Sequence, residues 1–305
     1  MIESLDSPQF SGTTSLTFLG LDSPLRQKKT VKAALIITEP GVVGPQDIPI
    51  FVVPSIHFAM SEILNAFRES FQHPIPFLHS TPFLIDEKTK DINSNQISPQ
   101  AVVEGFLEGE VFIGAGAVIG KGSYIGRGTR IEANATILEN CIIGRNCVIQ
   151  SGVVIGCAGF GFFPGEQDLS PMPHYAGVEI GDKCWIGANT VIAAGVLNPT
   201  RLGRGCKLDS HVQIAHNVQL GEESLLASQS GIAGSTVIGQ RFQMGGAASL
   251  DGHLLIGDDV SVAACSGVTK DLADKSVVAG FPARPIREWR REQVLVRRLD
   301  SRKSR

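Results

Sequence analysis

A chain of 305 residues is long enough for a large core and more than one domain, and its formal net charge of -3 argues against general nucleic-acid binding. Thirty-four glycines and only 6% aromatic residues suit a fold built on tight corners, and no apolar stretch is long enough to span a bilayer. The opening MIESLDSPQF lacks a basic region followed by an apolar one, so no secretory signal is expected; six cysteines without zinc-type spacing point to a reducing, cytoplasmic setting.

Residues 1–96 read as a small α/β domain. The segments KAALII (32–37) and IPIFVV (48–53) are predicted strands. Residues 57–71 are a predicted helix, with Phe58, Ile63, Leu64, Phe67 and Phe71 at helical spacing. The polar stretch 86–99 reads as a linker.

From residue 97 to 275 an aliphatic residue returns every sixth position. One run is Ile113, Ile119, Ile125, Ile131, Ile137, Ile143, Ile149 and Ile155; a short second run is Ile180, Ile186 and Ile192. The third run is Leu202, Leu208, Ile214, Leu220, Leu226, Ile232, Ile238, Met244, Leu250, Ile256, Val262 and Val268. A period of six fits neither an amphipathic helix nor an alternating strand; it is the mark of a hexapeptide β-helix, each repeat one short strand and a turn. The glycine that often follows, as in Ile143-Gly144, is expected to supply the unusual corner angles. Cys141 and Cys147 occupy equivalent places in consecutive hexads and read as small buried fillers.

Two segments interrupt the period. The first, 157–177, is rich in Gly, Pro and Phe, and the second is 193–201. A long loop leaving a solenoid is usually functional. Beyond residue 276 lies a predicted basic helical tail, with nine Lys/Arg over 284–305 against Glu288, Glu292 and Asp300.

Three hexads make one triangular coil, so residues eighteen apart lie one above the other, about 4.8 Å apart. His216 and Gly234 have that separation, and His253 lies thirty-seven beyond His216, two coils plus one residue. His216 suits a general base, since imidazole titrates near neutral pH. The Gly234 N–H is free to approach a developing oxyanion, and Asp209, seven residues before His216, is a candidate partner for the imidazole. His57, His73, His79 and His174 show no such alignment and read as satisfied surface or core groups.

The segments Gln213-Ile-Ala-His216-Asn217, Gly231-Ile-Ala-Gly234-Ser235, Gly245-Gly246-Ala247 and Asp251-Gly252-His253 together resemble the UDP-3-O-acylglucosamine N-acyltransferases of lipid A biosynthesis. Gly159-Phe160-Gly161-Phe162 and the tail Gly280-Phe281-Pro282-Ala283-Arg284-Pro285 with Trp289-Arg290-Arg291 extend the resemblance to about residue 300. It implies a bacterial, cytoplasmic homotrimer of left-handed parallel β-helices with active sites between subunits, at most in peripheral membrane contact. It also implies no bound cofactor, the phosphopantetheine thioester of acyl carrier protein as donor, and the 2-amino group of a nucleotide sugar as acceptor. On this resemblance His216 is the base, Asp209 its partner, Gly234 the oxyanion donor and His253 a group near the thioester. Gln213, Asn217, Gly159, Phe160, Gly161 and Phe162 would line the substrate site. Arg284, Arg287, Arg290 and Arg291 would meet the acidic carrier protein. No metal is implied.

Several positions depart from the family's pattern. The family holds uracil with a phenylalanine, an asparagine three later and a tyrosine three after that; here the positions are Phe18, Leu21 and Pro24. Ala193-Ala194-Gly195 stands for an Asp-Arg-Gly, Ser210 replaces an asparagine, and Gly267 stands where many relatives carry methionine near the acyl tunnel. The last change predicts room for a longer or differently shaped chain. Three other readings remain open: a paralogue acylating another amino-sugar nucleotide, a metal enzyme like the γ-type carbonic anhydrases using His211, His216 and His174, and a non-catalytic trimeric scaffold.

Overall fold

The computed structural model describes residues 4–6, 11, 13, 15–19, 32–41, 45, 47–66, 95–165, 168–280, 291 and 294. Its body is a parallel β-solenoid with strands from Gln96–Ile97 to Val277–Val278, slightly longer than the span of 97–275 read from the hexads. Three parallel sheets of eight, ten and nine strands form its sides. One runs along Ile125, Ile143, Ile180 and Leu202 (face A), one along Ile131, Ile149, Ile186 and Leu208 (face B), and one along Ile137, Ile155, Ile192 and Ile214 (face C). All twenty-three periodic aliphatics point inward and belong to a single core, from Ile113 at 0% exposure to Val268 at 7%. Each buried side chain of this size contributes roughly 1.5–3 kcal/mol, so stacking like on like is what holds coil to coil. Hydroxyls two residues before the aliphatics stitch the coils further: Thr190 Oγ1 donates to the Asp209 carbonyl at 2.9 Å and accepts from Val212 N at 3.1 Å.

The corners differ from expectation. The left-handed backbone angle falls three residues after the aliphatic, and most residues there are not glycine: Asn134, Asn140, Asn146, Asn189, Asn217, Ser235 and His253 all have φ near 60°. Asparagine tolerates that region through its short polar side chain. The glycine directly after the aliphatic has a different reason. A Cβ on Gly144 would lie 2.7 Å from the Asp182 backbone nitrogen in the next coil, so only glycine lets the coils close.

Residues before the solenoid form a four-stranded parallel sheet in the order β1 (Ser4–Asp6), β2 (Ser15–Leu19), β3 (Leu35–Thr38), β4 (Ile50–Val52), followed by helix α1 (Ile56–Ala66). The two predicted strands are β3, which starts three residues later and ends one residue beyond the predicted 32–37, and β4, trimmed at both ends of 48–53; β1 and β2 carried no clear pattern. Ser55 caps α1 by accepting from Phe58 N at 3.3 Å, and Glu39 accepts from Ile56 N at 3.0 Å. The helix turns Ile56 and Leu64 to the sheet and leaves Phe58 exposed, a correction to the predicted apolar face. Phe67, Phe71 and the 86–94 part of the linker lie outside the described residues. All six cysteines are free: Cys141, Cys147, Cys184 and Cys206 are buried, Cys157 is half-buried and Cys265 exposed.

Candidate active site

Both interruptions and the candidate base leave the same edge of the solenoid, in three successive coils. The first excursion follows strand Val154–Cys157, the second follows strand Val191–Ala193, and His216 follows strand Gln213–Ile214; these strands are neighbours on face C. The period therefore stacks two loops and one imidazole at one corner.

His216 sits half-buried in a box whose walls those loops supply. Its Nδ1 lies 3.2 Å from Asn217 Oδ1. The Asn217 amide is oriented by the second excursion, because its Nδ2 donates to the Asn198 carbonyl at 2.8 Å and its Oδ1 accepts from Val196 N at 3.2 Å. The oxygen therefore faces the histidine, Nδ1 carries the ring proton, and Nε2 keeps a bare lone pair. That is the tautomer a general base needs. Asn217, rather than Asp209, is the observed partner.

On one flank stands Gly234, where a Cβ would lie 2.7 Å from both Cε1 and Nε2 of His216. On the other stands the first excursion. A Cβ at Gly159 would come within 2.8 Å of His216 Cβ and 2.6 Å of His174 Nε2. The His174 ring meets the His216 ring edge-on, with centroids 5.1 Å apart at 66°. The pairing of His174 with His216 corrects the reading of His174 as an isolated group. It lay outside the hexads, so periodicity gave no sign of it; the Gly159-x-Gly161 spacing, now seen to make room for a ring, was the available hint.

The column continues upward. Ser235 N donates to the His216 carbonyl at 2.9 Å, and His253 N donates to the Gly234 carbonyl at 3.0 Å, so His253 lies one coil above Ser235 at the exposed edge. The backbone N–H two residues after an aliphatic mostly stays out of the coil ladder, and at several corners a side-chain oxygen takes it. Arg145 N donates to Asp182 Oδ1 at 2.7 Å, Gln240 N to Asp258 Oδ1 at 2.8 Å and Ala188 N to Gln150 Oε1 at 3.0 Å. Gly234 holds the same place in its hexad, and among the described residues no acceptor takes its N–H. A donor that binds carboxylate oxygens at other corners is thus open beside His216.

The remaining candidates are spread more widely. Asp209 is at the corner between faces B and C, where its Oδ1 accepts from Ser210 N at 2.7 Å; it does not meet His216 within one chain. It lines a groove of about 560 Å³ with Trp185, Leu225, Gln243 and Ser261. His211 is at that same corner, also away from His216. Gln213 is exposed on face C, one coil below Gly231. Phe160 is 90% exposed and Phe162 53%, with rings 5.3 Å apart edge-to-face on a protruding hairpin. Ala193 and Ala194 are each 2% exposed, so the charged pair they stand for would be buried under the second excursion. Around Gly267 a Cβ would meet nothing within 4 Å. Phe18 is a correction: it is 4% exposed, packed with Leu16, Ile37, Ile56, Leu64 and Leu197, and offers no open face to a base. Leu21, Pro24, Arg284, Arg287 and Arg290 lie outside the described residues; Arg291 is exposed at a helical position.

The family model "Bacterial transferase hexapeptide (six repeats)" matches residues 107–139 and 122–157, and "Hexapeptide repeat of succinyl-transferase" matches 177–212. The UDP-3-O-acylglucosamine N-acyltransferase of Bordetella parapertussis is 41% identical over 154 residues, 49% of this chain and 42% of that protein. The enzyme of the same name from Bordetella avium is 41% identical over 154 residues, covering 43% of its length. The chain thus aligns with less than half the length of the curated relatives it matches. Among solved structures, the UDP-N-acetylglucosamine O-acyltransferase of Moraxella catarrhalis superposes with a TM-score of 0.55 at 29% identity, covering 62% of this chain and 72% of that one. The UDP-N-acetylglucosamine acyltransferase of Campylobacter jejuni gives a TM-score of 0.51 at 26% identity, covering 60% and 69%. Repeat and fold together show a hexapeptide-repeat solenoid of the left-handed parallel β-helix type, and over 154 residues its sequence is similar to the UDP-3-O-acylglucosamine N-acyltransferases.

Proposed function

We propose that the protein transfers a (hydroxy)acyl chain from the phosphopantetheine thioester of acyl carrier protein to the 2-amino group of UDP-3-O-acyl-glucosamine, in lipid A synthesis. The observation that carries this reading is the boxed His216, its Nδ1 proton committed to Asn217 and its bare Nε2 beside the open N–H of Gly234. Nε2 takes a proton from the amine as its nitrogen attacks the thioester carbonyl. The carbonyl oxygen gains negative charge and is stabilised by the Gly234 N–H. The tetrahedral species collapses, the C–S bond breaks, and the thiolate leaves with the proton from His216. His253, exposed one coil above Gly234, is the group assigned to bind or polarise near the thioester.

The assembly we infer is a homotrimer with each site between two subunits, which lets a neighbour's Asp209 approach His216 although the same chain's Asp209 does not. The basic tail, of which Arg291 is described, is the docking element for the acidic carrier protein. Among the described residues no helix is long and apolar enough to cross a membrane.

A second acceptor is favoured by one observation. Phe18, the one member of the family's uracil clamp kept here, is buried, so base recognition falls to other residues and a different amino-sugar nucleotide is the alternative substrate. The metal-enzyme reading gains the His174–His216 pair, but among the described residues no third His, Cys, Asp or Glu joins them. The test is acyl transfer by wild type and His216→Ala side by side. Turnover by wild type that falls by orders of magnitude in the variant supports the reaction and the base. A folded trimer inert toward this acceptor but active on another amino-sugar nucleotide identifies the alternative; one inert toward every amino-sugar nucleotide refutes the reading.

A further inference from the structure

The first excursion holds a histidine that the reaction above does not use. His174 lies between Pro173 and Tyr175 on the returning arm of the loop. Its Nδ1 is 2.7 Å from the Met172 carbonyl, which can only accept, so Nδ1 bears the proton and Nε2 is a bare acceptor. That Nε2 is buried and has no partner. The backbone of the outgoing arm closes over it: a Cβ at Gly161 would lie 3.4 Å from His174 Cε1, and Met172 N donates to the Gly161 carbonyl at 2.8 Å.

We propose that His174 is a positioning residue for His216, a neutral imidazole wedged behind the base by Gly159 and Gly161 that fixes the plane of the His216 ring. The proposal rests on acyl transfer by His216 for its kinetic half, and on the ring contact alone for its structural half. An unpaired buried acceptor is a standing cost in any fold, and here it accompanies direct contact with the base. Burial, and then the nearby charge of His216, hold the His174 imidazole down to about 4, so it stays uncharged while His216 works. The groups acting on it are His216 from the coil and the Met172 carbonyl from its own arm; no carboxylate acts on it. Only glycine at 159 permits the wedge, which gives the Gly159-Phe160-Gly161 spacing a purpose beside that of displaying Phe160.

The test uses the full chain and two readouts. Hydrogen–deuterium exchange at histidine Cε1, read by mass spectrometry for each histidine, needs no turnover. In His174→Ala, exchange at His216 is expected to speed up several-fold, while His211 and His253 are unchanged. In His174→Phe, which keeps a ring against His216, exchange at His216 stays near wild type. Steady-state transfer by His174→Ala should lose roughly 10- to 100-fold in kcat with little change in KM, the cost of a misplaced group. His174→Phe should recover most of it. Unchanged His216 exchange in the alanine variant, or a phenylalanine variant as impaired as the alanine one, would overturn the proposal. If wild type itself shows no transfer, the functional reading falls, and the exchange data still decide whether His174 braces His216.

Discussion

Gly234→Ala isolates the placement of His216 from everything else in the solenoid. The added methyl would lie 2.7 Å from Nε2 and Cε1 of His216, against an ordinary carbon contact of about 3.5 Å or more. The φ of Gly234 lies outside the left-handed region, so alanine brings no backbone strain of its own. The imidazole must give way by about 0.8 Å, and it has nowhere good to go. The opposite flank is filled by the His174 ring and the Gly159 backbone, and Nδ1 is tied to Asn217. A shift near 1 Å in a reacting group costs about 10²-fold, so kcat should fall by that order. Stability should change by less than about 1 kcal/mol, because a half-buried side chain moves and the ladder does not.

Two other glycines serve as controls in the same scaffold. At Gly231 a Cβ meets nothing within 4 Å, and at Gly252, one coil above Gly234, it would lie 3.2 Å from the Gly234 carbonyl oxygen. Gly231→Ala should be indistinguishable from wild type, and Gly252→Ala should show a small loss at most. Transfer kinetics together with thermal melting measure both halves. A Gly234→Ala protein with wild-type kcat would refute the argument that the His216–Gly234 approach matters. Equal damage from Gly231→Ala would show that the effect is general to face C and not to the base.

Asn217→Ala removes the bonds to Val196 N, Asn198 O and His216, and places alanine at φ 60°. It should cost about 2–4 kcal/mol in denaturant unfolding and lower kcat. Asn217→Gly, which accepts that φ, should recover part of the stability and none of the rate. Acid destabilisation should come in two windows. His174, depressed from 6.5 to about 4, contributes stability that is complete above 6.5 and lost as pH falls toward 4. Glu108, held at about 2 by the Arg145 guanidinium, contributes stability complete above 4.5 and lost as pH falls toward 2. Melting curves from pH 2 to 7 should therefore lose the upper step in His174→Phe and the lower step in Glu108→Gln. Thiol titration of the native protein should find Cys265 fast, Cys157 slow, and buried Cys141, whose thiol is pushed up to about 12, unreactive until unfolding.

The hexad alone was enough to assign the solenoid, because an inward aliphatic is a local choice that sequence records directly: every one of the periodic residues is in the core. The stacking of His216 under Gly234 was legible for the same reason, since translation by one coil is arithmetic. What sequence could not supply was anything set by a loop's return path. His174 reaches His216 because the first excursion folds back on itself through the pairing of Phe162–Pro164 with Leu169–Pro171. Asn217 became the tautomer-setting partner because Val196 and Asn198 fix its amide, and neither shares its coil position. Asp209 was assigned to His216 on a separation of seven residues, which in this solenoid spans a corner and so sends the two side chains to different edges. Phe18 was assigned to a uracil clamp only by its match to the family's position, and sequence carried no sign that all five residues of β2 are buried.

A strict solenoid makes every coil alike, and a site needs one coil to differ. The corner positions of His216, Gly234 and Gly252 are related by simple translation, so nothing in the ladder singles out the first of them. The difference comes from the two interruptions, which leave the coils immediately below at the same corner and are the only long ones within the described solenoid. One brings a ring and a glycine wall to His216, and the other brings the carbonyl and N–H that orient its neighbour Asn217. Rigidity and chemistry are thereby separated: the coils fix the Cα positions of the histidine, the glycine and the second histidine, while the loops set the ring's plane and tautomer. Shortening either loop to restore the period should therefore leave a well-folded solenoid whose His216 is correctly placed along the axis and wrongly oriented for proton transfer. That outcome is distinguishable from simple misfolding because the melting transition survives and only kcat is lost.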